Sequence, residues 1–127
     1  MRERRDVVLV VEDDPALRDV VELALIDAGF RVVTATDGRA ALDRVAQELP
    51  GLILLDMKMP VMNGWEFARV FRARYNRRAP IVVLTAAQDA RRRAEEVGAE
   101  GFLGKPFDLE ELIETVERFL RRSDVPA

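Results

Sequence analysis

Residues 52–66 read LILLDMKMPVMNGWE, and this stretch decides the fold. Four consecutive apolar residues, Leu52–Leu55, end at Asp56. A short, continuously apolar run is typical of a parallel strand that is covered on both faces. Farther along, Asn63-Gly64 indicates a turn and the start of a helix rather than a ligand. The stretch therefore predicts a buried strand, a loop and a helix, with a carboxylate at the carboxyl end of the strand.

The same alternation extends over the whole chain. Five strands are predicted: Val7–Val11, Arg31–Ala35, Leu52–Leu55, Ile81–Leu84 and Gly101–Leu103. Apolar residues at helical spacing predict a helix after each strand. These stripes run over Leu17–Ala28, Ala41–Leu49, Phe67–Tyr75, Ala90–Val97 and Leu109–Leu120. Five strand–helix units without a linker predict a three-layer α/β sandwich around a parallel sheet. Residues 1–5 and 123–127 are expected to be frayed ends.

Local signals mark the helix ends. Asp14-Pro15 predicts an N-cap followed by the first helical residue, which makes a metal role for Asp14 secondary. Asp108 followed by Glu111 three residues later resembles a capping box. Gly29 and Gly98 stand where helix C-caps are expected.

Composition narrows the class of protein. A chain of 127 residues with 49% hydrophobic and 34% charged residues fits one globular domain. It contains neither Cys nor His, which excludes disulfides, Cys/His metal sites and Ser-His-Asp or Cys-His catalysis. A net charge of −3 does not favour binding of nucleic acid. The polar start, Met1–Asp6, and the lack of any apolar run of membrane-spanning length predict a soluble, cytoplasmic protein.

Charged and hydroxyl side chains stand at four of the five strand ends. Ligands of open parallel α/β sheets bind beyond the carboxyl ends of the strands. Glu12 and Asp13 follow the first predicted strand, Asp56 the third, Thr85 the fourth and Lys105 the fifth. The second strand is followed by a plain turn, which suits an edge strand in a sheet of order 2-1-3-4-5.

These groups predict a phosphoryl-transfer site. Three neighbouring carboxylates repel one another unless a cation neutralises them, and a single Lys is insufficient. Mg²⁺ prefers oxygen ligands and keeps several waters, so an ion held by Asp13 and Asp56 has open positions for phosphoryl oxygens. A hydrogen bond from Thr85 and the charge of Lys105 would complete the site. Asp56 is the best-placed nucleophile.

Four segments, in order, resemble the signatures of response-regulator receiver domains of two-component signalling. They are VLVVEDDPALR (8–18), LILLDMKMPVMNGWE (52–66), VVLTA (82–86) and GFLGKPF (101–107). The resemblance covers about residues 6–121, so residues 1–127 are expected to form a single receiver domain. It implies a flavodoxin-like (βα)₅ fold. It also implies Mg²⁺-dependent transfer of a phosphoryl group from a sensor histidine kinase or phosphotransfer protein. Such a domain catalyses only its own phosphorylation and dephosphorylation.

The resemblance assigns roles to the acidic end of the site. Asp56 would be the phosphoacceptor and a metal ligand. Asp13 would ligate Mg²⁺ directly, Glu12 mainly through water, and Lys58 through its backbone carbonyl. Glu at position 12 replaces a common Asp, and the extra methylene should be tolerated at a contact made through water.

The resemblance also assigns the residues that respond to phosphorylation. Thr85 would be the switch hydroxyl, Lys105 would bind a phosphoryl oxygen, and Phe102 would rotate inward on activation. The face formed by the fourth helix, fifth strand and fifth helix would then regulate a protein partner, without direct contact to nucleic acid. Arg91–Arg93 would be a solvated helix face or meet an acidic partner. A cis Lys105-Pro106 bond and a short fourth helix are also expected.

Three alternatives remain at this point. A haloacid-dehalogenase-like phosphatase or phosphotransferase would also use an aspartyl-phosphate, but its DxD pattern is absent because Met57 and Lys58 follow Asp56. A flavin-binding module would need a Ser/Thr/Gly-rich phosphate loop after the first strand. A pseudo-receiver would act without phosphorylation, and the intact set of site residues argues against it.

Overall fold

A computed structural model describes the backbone of residues 2–124 and the side chains of residues 6–120. Strands and helices alternate five times: β1 (Arg2–Val11), α1 (Pro15–Asp27), β2 (Arg31–Ala35), α2 (Gly38–Gln47), β3 (Glu48–Asp56), α3 (Gly64–Tyr75), β4 (Ile81–Ala86), α4 (Ala90–Val97), β5 (Gly101–Lys105) and α5 (Leu109–Asp124). All neighbouring strands pair in parallel, in the order β2-β1-β3-β4-β5. The predicted fold and strand order are confirmed.

The core explains why the central strands are continuously apolar. Leu9 and Val11 of β1 face one apolar cluster, with α2, α3 and α4, whereas Val8 and Val10 face a second cluster with α1 and α5. Side chains alternate between the two faces of a strand, so a sheet covered on both sides needs apolar residues at every position. All four of these side chains are at most 1% exposed.

The predicted helix signals are confirmed. The Asp14 carboxylate accepts hydrogen bonds from the N–H groups of Ala16 and Leu17 at the start of α1. Asp108 and Glu111 form the reciprocal hydrogen bonds of a capping box. Gly98 caps α4 with a φ of 64°, and Gly29 has a φ of 98° directly after the C-cap of α1. At 8 residues, α4 is the shortest of these five helices, as expected.

The chain start is more ordered than the sequence predicted. Instead of fraying, residues 2–5 belong to β1, because Arg2–Arg4 pair with Glu48–Pro50 before a register shift between Arg4 and Val8. This pairing uses backbone hydrogen bonds, which need no apolar side chains and so leave no hydrophobic pattern. At the other end, α5 continues through residues 123 and 124. The remaining expected frayed residues, 1 and 125–127, lie outside the described residues.

Two residues of the predicted second helix, Glu48 and Leu49, lie in a strand. Leu49, at the end of the helical stripe, is 2% exposed and belongs to β3. The helix ends at Gln47 because Pro50 disfavours helical backbone for the residue before it. Strands β4 and β5 each run two residues farther than predicted, which places Thr85 and Lys105 inside the strand ends.

Candidate functional site

The carboxyl ends of four strands bring the predicted site residues together. Carboxylate oxygens of Glu12, Asp13 and Asp56 lie within 4.8 Å of one another. Lys105 Nζ lies 2.8 Å from Glu12 Oε1 and 3.4 Å from Asp56 Oδ1. Thr85 is buried, one residue beyond the register partner of Asp56 on β4. The parallel topology therefore gathers three acids, an ammonium and a hydroxyl at one edge of the sheet.

Glu12 is 1% exposed, and each of its four polar groups forms a hydrogen bond. Its N–H donates to the Ala35 carbonyl (3.1 Å), and its own carbonyl accepts from Arg18 Nη1 (3.0 Å). Its Oε1 accepts from Lys105 and its Oε2 from the Asp14 N–H (3.2 Å). The Glu12 carboxylate therefore contacts Lys105 directly. Sequence reasoning missed both this ion pair and the contribution of Arg18, although that Arg lies in the first quoted motif.

The surroundings of Asp56 disfavour its charged form. Burial, followed by the negative charge of Glu12, raises the pKa of Asp56 to about 7, although Lys105 opposes the rise. Burial pushes the pKa of Lys105 down, but its hydrogen bond to Glu12 and the charges of Asp56 and Glu12 outweigh burial and raise that pKa. The ammonium is therefore firmly charged, yet it does not neutralise the acids around it.

The donor set fits a hard divalent cation. Asp13 is exposed beside the buried Glu12 and Asp56, so the cluster is reachable from solvent. Carboxylate oxygens are the ligands that Mg²⁺ prefers, and an added cation would relieve the repulsion that raises the pKa of Asp56. The Lys58 side chain is exposed. Its expected contribution, the backbone carbonyl, stays a prediction.

The predicted switch residues lie beside the site on β4 and β5. Phe102 is half-buried, packs against the core cluster with α2–α4, and has the Arg91 guanidinium 5.8 Å from its ring centroid. The Lys105-Pro106 bond is cis, as expected.

The expected solvated face of Arg91–Arg93 is confirmed for Arg91 and Arg92, which are exposed, and is wrong for Arg93. The Arg93 side chain is 19% exposed because it packs over Trp65 of α3. All three arginines have an intramolecular partner, since Arg92 forms an ion pair with Asp89. These contacts weaken the case for an acidic partner there.

The loop after Asp56 contains a strained turn that the sequence did not reveal. Val61 has a φ of 67° and is 80% exposed. The N–H of Met62 donates to the Pro60 carbonyl (2.7 Å), which makes a γ-turn centred on Val61. The Met62 carbonyl in turn accepts from the N–H of Gly38 (2.9 Å) at the start of α2. The turn therefore anchors the acceptor loop to the neighbouring helix.

An apolar groove of about 450 Å³ borders the site. Leu17 and Val20 of α1 form one wall, and Pro106, Phe107 and Leu109 form the other. Asp14 and Lys105 line the end nearest the acids. In the part of the chain that the structure describes, no helix has the length and apolar character that crossing a membrane requires.

The amino-acid sequence of this chain is similar to known response regulators. Residues 8–117 match the model of the response regulator receiver domain. The DNA-binding response regulator MtrA of Mycolicibacterium smegmatis is 41% identical over 130 aligned positions, covering 100% of this chain and 55% of the relative. Response regulator MprA of Mycolicibacterium vanbaalenii is 40% identical over 118 positions, covering 91% of this chain and 51% of the relative. The chain thus spans about half the length of the curated relatives it matches.

The fold of this chain is also similar to solved structures of receiver proteins. Chemotaxis protein CheY4 of Vibrio cholerae is 38% identical with a TM-score of 0.80, covering 89% of this chain and 97% of the other. The signal receiver domain of a signal transduction histidine kinase from Syntrophus aciditrophicus is 29% identical with a TM-score of 0.86, covering 96% and 95% of the two chains. Each is similar to this chain over nearly its full length.

Proposed function

The chain belongs to the response regulator receiver domain family, and from this premise we propose that Asp56 is its phosphoacceptor. Receiver domains of this family are homologous to phosphorylation-activated switches. One observation supports the assignment to Asp56: it is the buried acid that ends the middle strand of the sheet, in the three-carboxylate cluster and 3.4 Å from Lys105, whereas both oxygens of the buried Glu12 already accept hydrogen bonds. Residues 1–127 form a single receiver domain in this proposal.

The site residues divide the work of the transfer. Asp13, Asp56 and the Lys58 carbonyl would hold Mg²⁺, with Glu12 contributing through water. When bound, Mg²⁺ supplies positive charge that offsets the phosphoryl oxygens. A cation beside Asp56 favours its ionised form, which is the nucleophile. A carboxylate oxygen of Asp56 forms the new P–O bond as the P–N bond to the donor histidine breaks.

After the transfer, Lys105 and Thr85 bind the phosphoryl group on Asp56. Lys105 already lies at the acceptor, so its ammonium needs only a short movement from Glu12 to pair with a phosphoryl oxygen. The Thr85 hydroxyl donates a second hydrogen bond. In this way the domain catalyses its own phosphorylation and, with water as the nucleophile, its dephosphorylation. It has no other substrate in this proposal.

Two protein partners follow from this mechanism. The donor is a sensor histidine kinase or a phosphotransfer protein. A downstream protein reads the phosphorylated state through the face of α4, β5 and α5, without direct contact between this domain and nucleic acid. Phe102 lies within that face, and its ring is the switch element.

The groove beside the site is the docking surface for the donor in this proposal. Lys105 lines the groove and its ammonium lies 3.4 Å from Asp56, so the groove and the acceptor are continuous. Val20 is 49% exposed and Leu109 is 44% exposed, which leaves apolar surface at the entrance. A protein donor that delivers a phosphoryl group to Asp56 would cover this surface.

Family membership removes the support for a phosphatase or a flavin-binding module. The pseudo-receiver is the alternative that a phosphorylation experiment must separate. The protein is treated with a small phosphodonor, and its intact mass is measured. We expect a gain of one phosphoryl group with Mg²⁺ and none with chelator.

The variant Asp56→Asn should gain no phosphoryl group under the same conditions. Asp14→Asn is the matched control, because that acid caps α1 and Asn is an equally good N-cap. It should be labelled like the wild type. Labelling that persists in Asp56→Asn would remove the assignment, and a wild type that is never labelled would favour the pseudo-receiver.

A further inference from the structure

The chain's single tryptophan joins α3 to α4. Trp65 is the second residue of α3, and its Nε1–H donates to Glu96 Oε1 on α4 at 2.9 Å. The Arg93 guanidinium lies 5.1 Å from the centroid of the Trp65 ring, and its Nη1 lies 3.2 Å from Glu96 Oε1. In these three side chains, here called the Trp65 cluster, a hydrogen bond and a cation–π contact connect Trp65 to α4, and an ion pair within α4 joins Arg93 to Glu96.

Each contact in the Trp65 cluster depends on charge. The hydrogen bond from Trp65, followed by the contacts of Arg93, lowers the pKa of Glu96, so its carboxylate is ionised at neutral pH. A hydrogen bond to an ionised acceptor is stronger than one between neutral groups. Removing the indole N–H should therefore weaken the link and leave the ion pair within α4 intact, whereas removing the carboxylate charge should weaken both.

The other contacts of α4 use small side chains. Its buried residues are the small Ala90 and Ala94. Among the residues that the structure describes, its N-cap, Asp89, makes no capping hydrogen bond with its side chain. A short helix with small buried side chains and an incomplete cap belongs to the less stable part of a fold. The Trp65 cluster therefore adds polar contacts with α3 to the packing of these small side chains.

The Trp65 cluster is also connected to the acceptor. The N–H of Gly64 donates to the Met57 carbonyl at 2.9 Å, which fixes the start of α3 to the residue after Asp56. On its other side, α4 contacts the switch aromatic, since Arg91 lies over the Phe102 ring. Helix α4 thus lies between an anchor tied to the acceptor loop and the residue that is proposed to rotate.

We infer that the Trp65 cluster is a latch that holds α4 in the resting position and so sets how readily the domain switches. The inference rests on the proposed phosphorylation of Asp56. Lys105 bound to Glu12 and Asp56 identifies the arrangement described here as the resting one. A ligand that binds the activated state gains apparent affinity when the resting state loses an interaction. Weakening the latch should therefore tighten binding of a phosphoryl mimic.

The test uses Trp65→Phe, which keeps a ring but removes the N–H, and Glu96→Gln, which removes the charge. Glu95→Gln is the matched control, because Glu95 is exposed on α4 and lies outside the cluster. Affinity for beryllofluoride with Mg²⁺ is measured by NMR titration. We expect both latch variants to bind about 3- to 10-fold more tightly, the range that one hydrogen bond supplies, and the control to match the wild type.

Amide exchange of the resting protein provides a second, independent readout. Residues 90–97 should exchange faster in both latch variants, while the strands exchange as in the wild type. If both variants bind beryllofluoride like the wild type, or more weakly, the latch is wrong although the proposed function stands. If the wild type itself does not bind beryllofluoride at Asp56, the proposed function fails and the inference falls with it.

Discussion

Asp56 is a carboxylate in surroundings that disfavour its charge, and this has a consequence for stability. Burial and the charge of Glu12 raise its pKa from 3.8 to about 7 in the folded chain without metal. Between these two values the folded protein holds a proton that the unfolded chain releases. Stability therefore falls as pH rises through that window, since the folded state binds more protons there. Above pH 7 the folded chain carries an uncompensated acid.

Asp56→Asn should accordingly be more stable than the wild type at pH 8 in the presence of chelator. We expect a gain of about 1–2 kcal/mol, a fraction of what the full shift implies at roughly 1.4 kcal/mol per pKa unit, because the substitution also removes the ion pair between Asp56 and Lys105. The gain should shrink toward pH 5, where the wild-type carboxyl is protonated. Urea unfolding followed by Trp65 fluorescence measures it. Asp43→Asn, on the exposed face of α2, is the control, and equal gains at both pH values would contradict the account.

Val61 is a second residue that is unfavourable where it stands, because it has a β-branched side chain and a positive φ. A β-branched residue with positive φ is a rare outlier, and such residues concentrate at functional sites. Its side chain is 80% exposed, so packing does not compensate for the backbone. The strain is retained in the loop that carries the acceptor, where the γ-turn brings the Met62 carbonyl to the N–H of Gly38.

Val61→Gly should relieve this strain and stabilise the domain by about 0.5–1 kcal/mol. A left-handed backbone costs a residue with a Cβ roughly 1–2 kcal/mol, and the greater flexibility that Gly gives the unfolded chain offsets part of this gain. Val61→Ala keeps the Cβ and should change stability by less. Urea midpoints of the two variants at equal pH provide the measurement. A gain in Val61→Ala as large as that in Val61→Gly would place the effect in the side chain instead of the backbone.

At the scale of the elements, the parts of the fold that follow from local patterns were predictable. Apolar β-branched runs, the stronger of them continuously apolar, located all five strands, and caps such as Asp14 and Asn63 located helix starts. Residues 2–5, Glu48 and Leu49 were misassigned because strand pairing depends on a partner that is distant in sequence. The site residues at the strand ends were predictable for a similar reason: parallel topology alone brings strand ends together.

Contacts between side chains on different elements were not predictable. Trp65 and Glu96 are 31 residues apart, and nothing in either local pattern indicates that they meet. Lys105 and Glu12 were expected in one site, but not as a 2.8 Å pair. The same limit applies to Glu100, whose carboxylate accepts from Arg72, Arg77 and the N–H of Ile81. Such partners are set by packing, which a single sequence does not display.

The groove between α1 and the start of α5 gives a prediction at this scale. Val20→Arg places a charge in the apolar wall that the donor protein is proposed to cover. Transfer from a phosphorylated kinase or phosphotransfer protein should slow at least about tenfold, because one unpaired charge buried at an interface costs more than 1.4 kcal/mol. Phosphorylation by a small donor should be unchanged. Ile26→Arg, an exposed site at the far end of α1, is the control. Equal slowing with both donors would mean that the variant damages the site itself.

For the whole molecule, the sheet order determines where the signal goes. Asp56 ends β3, with Glu12 following β1 on one side and Thr85 in β4 on the other. The acids thus lie toward β1, whereas the hydroxyl and ammonium that would bind a phosphoryl group lie in β4 and β5. Any inward movement of Thr85 occurs next to Phe102, since β4 and β5 are paired with Val83 opposite that aromatic. The response should therefore spread to α4, β5 and α5, and leave β2 and α2 unchanged.

Thr85→Ala separates acceptance of the phosphoryl group from the response to it. The nucleophile, the acid cluster and Lys105 are untouched, so Asp56 should still gain one phosphoryl group with Mg²⁺. The hydroxyl that would pull β4 toward the phosphoryl oxygens is gone, so amide NMR shifts on adding beryllofluoride should stay near Asp56 and fail to reach Phe102 and residues 90–97. Thr85→Ser keeps the hydroxyl and should restore them. Coupling between two sites is typically 1–3 kcal/mol, or about 5- to 150-fold in affinity, and most of that change for a downstream partner should disappear in Thr85→Ala alone. Shifts that remain at the pocket even in the wild type would show that phosphorylation is read somewhere other than through Thr85 and Phe102.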